Sequence, residues 1–519
     1  MDVLPSFLCG RWVNGGDQTA PLVDPTTGDE IVRISTTAVD TQPALAYARK
    51  HGSAALRGMN FAQRGQLLAN IAARLAARRD AWNRTLLVNM GATARDTAMD
   101  IEGAIQTLRY YAGLGAALGA ATMVIEPGQD ILTRAGNEKG AHIWTPVGGV
   151  AIHINAFNFP SWGLWGKVAV AFLSGVPVLT KPGAATSLLA WEMVREVVPI
   201  LPDGALSLLM ASGRGLVDAA EPQDVIAFTG SDATARTLRS SPAILGGGVR
   251  LNIEADSLNS IVLGLDVRRD DPLFDRFCDE VAQETVIKSG QKCTAARRVL
   301  VPEAMVGSVT EALAARLANV VTGNPRNAAV ELGPVVSRQQ QVAIHQGIAA
   351  LEEETVAAFV GLDTPVDADP QVGCFVPAHL LVCQDSRTAR RIHEEEIFGP
   401  VATVIGYRDP ADAAALVRRG RGSLIASVFS DDSAQGRKIV EAIAPWHGRV
   451  LFVDEAIAAD HTGHGLVLPQ SNHGGPGRAG GGEELGGLRG MRLYHQRTAL
   501  QGSVSFLRDI GEQAAEATF

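Results

Sequence analysis

Cysteine is scarce in this chain. The 519 residues hold five cysteines, which are Cys9, Cys278, Cys293, Cys374 and Cys383. No two of them form a C-x-x-C pair. An odd, sparse set does not make a disulfide framework, so we expect a protein of a reducing compartment.

Metal-ligand patterns are also missing. Three histidines lie close together in the sequence, at His461, His464 and His473, but no acid or thiol stands near them at the spacing of a metal site. We therefore predict no metal centre.

Long apolar runs and excess positive charge are absent as well. The longest apolar runs, such as LGAALGAATMVI, are too short to cross a bilayer, and MDVLPSFLCG has neither the basic start nor the apolar stretch of a signal peptide. The formal net charge of −9 disfavours a nucleic-acid partner. We expect a soluble cytoplasmic protein without a membrane or nucleic-acid partner, which acts on a small molecule.

The order of apolar patterns predicts an α/β fold. The length exceeds what one hydrophobic core usually supports, so two or more domains are expected. Residues 41–122 show helical spacing, and from VGGVAIHI onward short apolar runs alternate with helical stretches. This alternation predicts a parallel sheet of the dinucleotide-binding type. A second α/β block is expected after Glu254, with a helix over 274–288 that buries Cys278.

A glycine-rich stretch near the carboxyl end imitates a phosphate-binding loop. Gly475, Gly477 and Gly480 match G-x-G-x-x-G, but no apolar strand leads into them and no helical pattern follows. We interpret the stretch as a loop in which backbone packs closely. The segment FTGS, from Phe228 to Ser231, is the better candidate, because it joins a strand to a helix whose N-terminus can receive a phosphate.

Cys293 is the candidate nucleophile, in the stretch SGQKCTA. A free thiol is mostly protonated at neutral pH, so a nucleophilic cysteine needs a base and an oxyanion hole from elsewhere in the fold. Taken alone, a cysteine among small residues is more often an inert apolar residue than a nucleophile.

Two other stretches supply the missing groups. INAFNFPSWGLWGK places Asn155 and Asn158 in a loop after a strand, where a carboxamide can donate to a developing oxyanion. NIEADSLNS places Glu254 at the end of an apolar run, where we expect partial burial to raise its pKa toward that of a general base. Each residue also has a purely structural explanation, because an asparagine can cap a loop and a glutamate at a strand end can be solvated.

The motifs together resemble the NAD(P)-dependent aldehyde dehydrogenase family. The resemblance covers almost the whole chain, through NAFNFP, KP at 181–182, FTGS, NIEADSLNS, GQKCTA, EEIFGPV and the glycine-rich stretch. It implies that Cys293 attacks an aldehyde carbon, that Asn158 and the Cys293 N–H hold the oxyanion, and that Glu254 activates the water that hydrolyses the thioester. Lys167 and Glu484 are then expected to relay protons.

The resemblance also implies a dinucleotide cofactor. The positions it assigns to cofactor binding are Phe157, Lys181, Gly230, Ser231, Glu396 and Phe398. Members of the family that prefer NAD commonly carry Glu three residues after the lysine of KP, whereas this chain has Ala184 there. A carboxylate at that place would repel the 2′-phosphate of NADP, so we expect NADP as the preferred cofactor, with NAD possible.

The family fold implies three parts. A Rossmann-like cofactor domain is expected over 1–127 and 148–255, an α/β catalytic domain over 256–489, and a small β oligomerisation arm over 128–147 and 490–505 that builds a homodimer or a dimer of dimers. The motifs are closest to members that act on CoA-linked semialdehydes in aromatic degradation, so a CoA-linked aldehyde is the expected substrate. Arg478 and Arg489 are candidates for contacts to its phosphates, although solvent exposure explains them as well.

Two alternatives remain at this point. A CoA-acylating dehydrogenase would release the acyl group to free CoA, but such enzymes commonly lack the glutamate base that Glu254 provides. A catalytically silent protein that keeps the fold would be expected to have lost Cys293, Asn158 or Glu254, and all three are present.

Overall fold

The computed structural model describes residues 2–519, and its first sheet has seven strands. In spatial order the strands are Arg250–Glu254, Val225–Thr229, Ala151–Ile154, Val178–Lys181, Leu206–Leu208, Ser6–Leu8 and Arg11–Val13. The first five run parallel, Ser6–Leu8 is antiparallel to them, and Arg11–Val13 is antiparallel to Ser6–Leu8. The parallel strands are short and mostly buried, which explains their continuous apolar runs.

A second sheet of seven strands forms the other α/β block. Its strands in spatial order are Thr355–Val360, His379–Cys383, Val401–Tyr407, Arg298–Pro302, Ser260–Leu263, Ser423–Phe429 and His447–Val453. All neighbours are parallel except the edge strand Thr355–Val360, which is antiparallel to its neighbour. The predicted mixed α/β architecture is therefore confirmed.

The remaining strands form three small sheets. One consists of His495–Ser503, Glu138–Pro146, Met123–Ile125 and Ala514–Glu516, with Asp130–Ile131 paired to the second of these. Its long strands, Glu138–Pro146 and His495–Ser503, pair antiparallel along their whole length. The other two sheets are the hairpin Thr19–Val23 with Glu30–Ser35 and the ribbon Asn472–Gly474 with Glu483–Leu485.

Helices cover the two large sheets. The α-helices of eight residues or more are Phe61–Ala76, Arg79–Met90, Ala94–Leu118, Trp162–Leu173, Ser187–Val197, Asp232–Arg239, Pro272–Val286, Val306–Leu317, Arg338–Leu351, Pro410–Arg418, Ser433–Ile443 and Val504–Gly511. The shorter ones are Gln42–Tyr47, Ser53–Arg57, Pro242–Leu245, Arg391–Glu394 and Glu455–Ala458. Within residues 2–519, no helix combines the length and the apolar character needed to cross a bilayer.

The predicted helical region and the predicted helix over 274–288 are both present. Between residues 41 and 122 the chain is almost entirely helical, and the helix Phe61–Ala76 starts at a capping box in which Asn60 and Gln63 satisfy each other's N–H groups. The later helix spans Pro272–Val286 and buries Phe274, Phe277 and Cys278.

Candidate active site

One cleft contains all five residues predicted to be catalytic. It encloses about 910 Å³, part of which is open to solvent. The polar side chains that line it include Asn158, Lys167, Glu254, Cys293, His473 and Glu484. The first sheet, the second α/β block and the ribbon at 472–485 therefore meet at this cleft.

A sharp reversal of the backbone places Cys293 in the cleft. After the helix Pro272–Val286, three successive residues adopt left-handed conformations, with φ of 52° at Lys288, 54° at Ser289 and 69° at Gly290. Only glycine adopts this conformation without cost, and a Cβ on Gly290 would lie 2.0 Å from the Gly399 oxygen. The loop is thus packed tightly enough to fix the position of the cysteine.

The surroundings of Cys293 keep one backbone donor free. Its carbonyl accepts a hydrogen bond of 2.8 Å from Asn259 Nδ2. Its N–H meets no protein acceptor within residues 2–519. Burial, followed by the neighbouring Glu254 carboxylate, raises the pKa of the Cys293 thiol. The thiol is therefore protonated at rest and needs a base to take its proton.

Glu254 is the last residue of its strand, and its carboxylate is almost fully buried. Burial alone would raise its pKa, but His473, with Nε2 3.2 Å from Glu254 Oε2, and the Lys167 ammonium outweigh burial and lower the pKa. The expectation of a raised pKa for Glu254 is therefore wrong, because it left out the two neighbouring positive charges. Glu254 is a carboxylate at neutral pH, in a position to accept a proton.

His473 is the residue that reading the sequence missed. It lies on the ribbon strand Asn472–Gly474, directly opposite Glu484 on the strand Glu483–Leu485. Spacing along the chain showed no acid or thiol near this histidine, yet the fold brings Glu254 and Cys293 to it. No local pattern marks such a contact, because the partners come from distant parts of the chain.

Lys167 and Glu484 form a second charged pair beside the first. Lys167 Nζ lies 3.1 Å from Glu484 Oε2 and donates to Thr229 Oγ1 over 2.9 Å. Glu484 Oε1 accepts from Asn252 Nδ2 over 3.2 Å. Both charged side chains are close to fully buried. The pair joins the helix Trp162–Leu173 to the ribbon, next to Glu254, whose pKa Lys167 lowers.

The two asparagines of NAFNFP differ in their contacts. Asn155 Nδ2 donates to Thr180 Oγ1 over 3.1 Å, so its carboxamide is engaged with the neighbouring strand. Asn158 is buried, lines the cleft and donates to no protein acceptor among the described residues. Of the two, Asn158 has the donor that a bound oxyanion can use.

An apolar wall faces these polar groups. The apolar residues that line the cleft are Met99, Phe159, Trp162, Val170, Leu466, Val467 and Leu493. Such a wall suits the hydrocarbon part of a bound ligand.

Glu396 and Phe398 lie next to the cleft. Glu396 Oε2 accepts the Ser257 N–H over 2.9 Å, and Glu396 Oε1 lies 3.5 Å from Arg297 Nε. Burial raises the pKa of Glu396 to about 7 despite the opposing effect of Arg297. The Phe398 ring packs edge-on against Phe157, with 5.9 Å between centroids.

The other predicted cofactor residues lie at the carboxyl edge of the first sheet. Lys181 ends the strand Val178–Lys181, and its Nζ donates only to the Pro182 carbonyl. Burial lowers the pKa of Lys181. Ser231 caps the helix Asp232–Arg239, and the Gly230 N–H donates to the Glu254 carbonyl. Ligands of open parallel sheets bind at this edge, whereas the thiol lies in the adjacent cleft.

Two observations indicate that a dinucleotide fits these residues. Glu396 Oε1 is buried and makes no hydrogen bond among the described residues, so a sugar hydroxyl would satisfy it. No carboxylate within residues 2–519 pairs with Lys181, which leaves its ammonium available to an anionic or hydroxyl group.

The glycine-rich stretch is a packed loop, as predicted. A Cβ on Gly475 would lie 2.3 Å from the Ser423 oxygen, and one on Gly480 would lie 2.3 Å from the Ile253 oxygen. The glycines let this loop contact strands of both large sheets directly. Arg478 of the same loop lies near enough to lower the pKa of Glu396, whereas Arg489 is exposed beside the cleft residue Gly490.

Comparison with known proteins identifies relatives over nearly the whole chain. The profile described as "Aldehyde dehydrogenase family" matches residues 12–491. The 3,4-dehydroadipyl-CoA semialdehyde dehydrogenase of Aromatoleum evansii is 45% identical over 477 residues, which are 91% of this chain and 93% of that protein. Protein MaoC of Klebsiella aerogenes is 41% identical over 182 residues, or 35% of this chain and 53% of that protein.

Solved structures share the fold at lower identity. Betaine aldehyde dehydrogenase of Staphylococcus aureus in complex with NAD+ is 22% identical with a TM-score of 0.81, over 96% of this chain and 95% of that chain. A mutant of aldehyde dehydrogenase C of Pseudomonas syringae, in complex with NAD+ and octanal, is 22% identical with a TM-score of 0.83, over 96% of each chain.

Proposed function

The chain belongs to the aldehyde dehydrogenase family, and from this premise we propose that it oxidises a CoA-linked semialdehyde to the carboxylic acid with NADP as cofactor. The observation that carries the proposal is the cleft in which the Cys293 thiol, an ionised Glu254 and the free donor of Asn158 meet. An acyl-transfer step needs a nucleophile, a base and an oxyanion donor, and the cleft has one of each.

The first step forms a bond between Cys293 Sγ and the aldehyde carbon. The thiol is protonated at rest, so its proton passes to a base as sulfur attacks, and Glu254 is the carboxylate beside it. The aldehyde oxygen becomes an oxyanion, which the Asn158 carboxamide and the Cys293 N–H stabilise. The product is a thiohemiacetal on Cys293.

When bound, the dinucleotide supplies hydride acceptance, which converts the thiohemiacetal on Cys293 to a thioester. After Glu254 has released the thiol proton, it accepts a proton from the water that attacks the thioester carbon. The carboxylic acid leaves, and the thiol on Cys293 is restored. Lys167 and Glu484 lie next to Glu254 and carry the proton away from it.

NADP is proposed because Lys181 supplies a positive charge and Ala184 stands where NAD-preferring members commonly carry a glutamate. Lys181 and Ala184 would lie at the adenosine ribose, and Ala184 is exposed on a short 3-10 turn. An unpaired lysine without a nearby carboxylate favours the 2′-phosphate. Glu396 would hold the nicotinamide ribose, Phe157 and Phe398 would flank the ring, and Gly230 and Ser231 would face the pyrophosphate.

The CoA-linked substrate is proposed from the relative in Aromatoleum evansii, whose name specifies 3,4-dehydroadipyl-CoA semialdehyde. We propose the same compound or a similar semialdehyde for this chain. We also propose that residues 1–127 with 148–255 bind the dinucleotide, that 256–489 supply the thiol, and that 128–147 with 490–505 join a homodimer.

The experiment is steady-state turnover with free and CoA-linked semialdehydes, each with NADP and with NAD. The proposal predicts the highest kcat/KM for a CoA-linked semialdehyde with NADP. Release of a free carboxylate without added CoA supports hydrolysis, whereas a new thioester that depends on added CoA supports the acylating alternative. Turnover of short free aldehydes alone would refute the CoA-linked substrate while leaving the thiol chemistry intact.

A further inference from the structure

Three side chains of metal-ligand type meet at the floor of the cleft. The Cys293 Sγ, a Glu254 carboxylate oxygen and a His473 ring nitrogen lie within 4.8 Å of one another. Thiolate, carboxylate and imidazole are the three ligand types that bind zinc, and bonds of about 2.0–2.3 Å in a tetrahedron place ligand atoms roughly 3.3–3.8 Å apart. A pair of ligand atoms 4.8 Å apart would have to approach by about 1 Å or slightly more to reach that spacing.

A second observation points independently to a ligand. Glu254 Oε1 is buried and has no hydrogen-bond partner among the described residues, although the side chain is only 5% exposed. A buried carboxylate oxygen without a partner is costly, and a cation bound at the carboxylate would remove that cost.

The charges around the three ligands allow a cation to bind. Two lysines whose charges act on these ligands are already paired, since Lys167 lies 3.1 Å from Glu484 and Lys292 lies 2.7 Å from Glu284. The Glu254 carboxylate and a Cys293 thiolate together balance the charge of a divalent ion. The fourth position of a tetrahedral ion would face the open cleft, where water can complete the coordination.

We propose that Cys293, Glu254 and His473 form a reversible inhibitory site for a thiophilic divalent cation, of which Zn²⁺ is the prime example. Binding replaces the S–H bond by a bond between sulfur and the metal, and the proton goes to solvent without any change of oxidation state. The bound metal blocks both Cys293, the nucleophile, and Glu254, the base. The enzyme is therefore inactive until the metal is removed, whichever aldehyde it oxidises.

Cobalt(II) tests the proposal without substrate or dinucleotide. The full-length protein, freed of metal with a chelator, is titrated with Co²⁺, and Zn²⁺ is then added in competition. We expect one bound Co²⁺ per chain with a near-ultraviolet absorption band from thiolate to cobalt, and displacement of that band by Zn²⁺. Zn²⁺ is also expected to abolish aldehyde oxidation over the same concentration range, with recovery on addition of chelator.

Variants separate this site from adventitious binding. Cys293→Ser is expected to lose the thiolate band. His473→Gln is expected to weaken Co²⁺ binding by at least about tenfold, because even the loss of a residue that only contacts a metal ligand typically costs that much affinity. His461→Gln is the matched control, because His461 lies 4.0 Å from Glu280 in another histidine–acid pair that does not line the cleft. It should bind Co²⁺ like the unaltered protein.

The proposal is overturned if the unaltered protein shows no thiolate band, or if His473→Gln binds Co²⁺ as tightly as the unaltered protein does. Circular dichroism shows whether each variant is folded. Should His473→Gln not fold, Glu254→Gln takes its place with the same expected loss of affinity. Because metal binding is measured without an aldehyde, its failure is distinguishable from a wrong assignment of the substrate.

Discussion

His473 Nε2 lies 3.2 Å from Glu254 Oε2, in a contact that joins the ribbon Asn472–Gly474 to the end of a strand of the first sheet. A buried carboxylate would otherwise hold its proton to higher pH. With His473 and Lys167 beside it, the carboxylate stays ionised, so it can take a proton at neutral pH. In the proposed mechanism, hydrolysis therefore depends on a contact that the fold creates.

The oxyanion donor is tested by Asn158→Ala. Loss of one donor at a developing oxyanion lowers kcat by about 100- to 1000-fold. Asn155→Ala is the comparison, because it removes a neighbouring carboxamide that is already engaged with Thr180. We expect a much smaller loss of kcat for Asn155→Ala. Equal losses in the two variants would show that Asn158 has no special role.

The cofactor preference is tested by Ala184→Glu. The new carboxylate would lie near Lys181 on an exposed turn and would repel the 2′-phosphate of NADP. We expect the ratio of kcat/KM for NADP to that for NAD to fall by at least about tenfold, which a modest charge repulsion suffices to produce. Ala184→Gln controls for size without charge. An unchanged ratio in Ala184→Glu would place the 2′-phosphate elsewhere.

Dinucleotide binding should depend on pH through Glu396. Burial raises the pKa of Glu396 to about 7, with Asp256 adding to burial and with Arg297 and Arg478 opposing it. Above that pKa the carboxylate is charged and accepts stronger hydrogen bonds from ribose hydroxyls, so binding should tighten as pH rises from 6 to 8. Titration with NAD, which has no 2′-phosphate, measures this. Glu396→Gln should remove this part of the pH dependence, and an unchanged pH profile would contradict the assignment.

The loop before Cys293 should tolerate no side chain at Gly290. Alanine there would adopt a left-handed conformation at a cost of about 1–2 kcal/mol. Its Cβ would also clash with the Gly399 oxygen at 2.0 Å. We expect Gly290→Ala to lower the melting temperature by several degrees. Gly307→Ala, in the helix Val306–Leu317 and with open space around its Cβ, should leave it unchanged or raise it.

The sequence was sufficient to predict elements that depend on local pattern. The run around Val225–Thr229 is short and apolar because the strand is buried on both faces, and the helix Pro272–Val286 shows its apolar face in the spacing of Phe274, Phe277 and Cys278. Motifs such as GQKCTA also identified residues that line one cleft, because their order along the chain is typical of the family.

The electrostatic state of the site depends on contacts that no local pattern contains. Glu254 was expected to have a raised pKa because strand ends are partly buried, and that reasoning omitted the charges that the fold brings to it. His473 lies more than two hundred positions later in the chain, and it reaches Glu254 only because its ribbon packs against the first sheet. Predicting the pKa therefore required the tertiary structure.

The most direct test is to trap the thioester in Glu254→Gln. The account predicts that this variant, mixed with aldehyde and NADP, forms one equivalent of NADPH per chain, more slowly than the unaltered protein because the base for the thiol is gone, and then nearly stops because the base for hydrolysis is gone as well. Mass spectrometry of the quenched protein should find the acyl group on Cys293, and Cys293→Ala should give neither NADPH nor adduct. Continued turnover of Glu254→Gln without an acyl-enzyme, or an acyl group on another residue, would contradict the account.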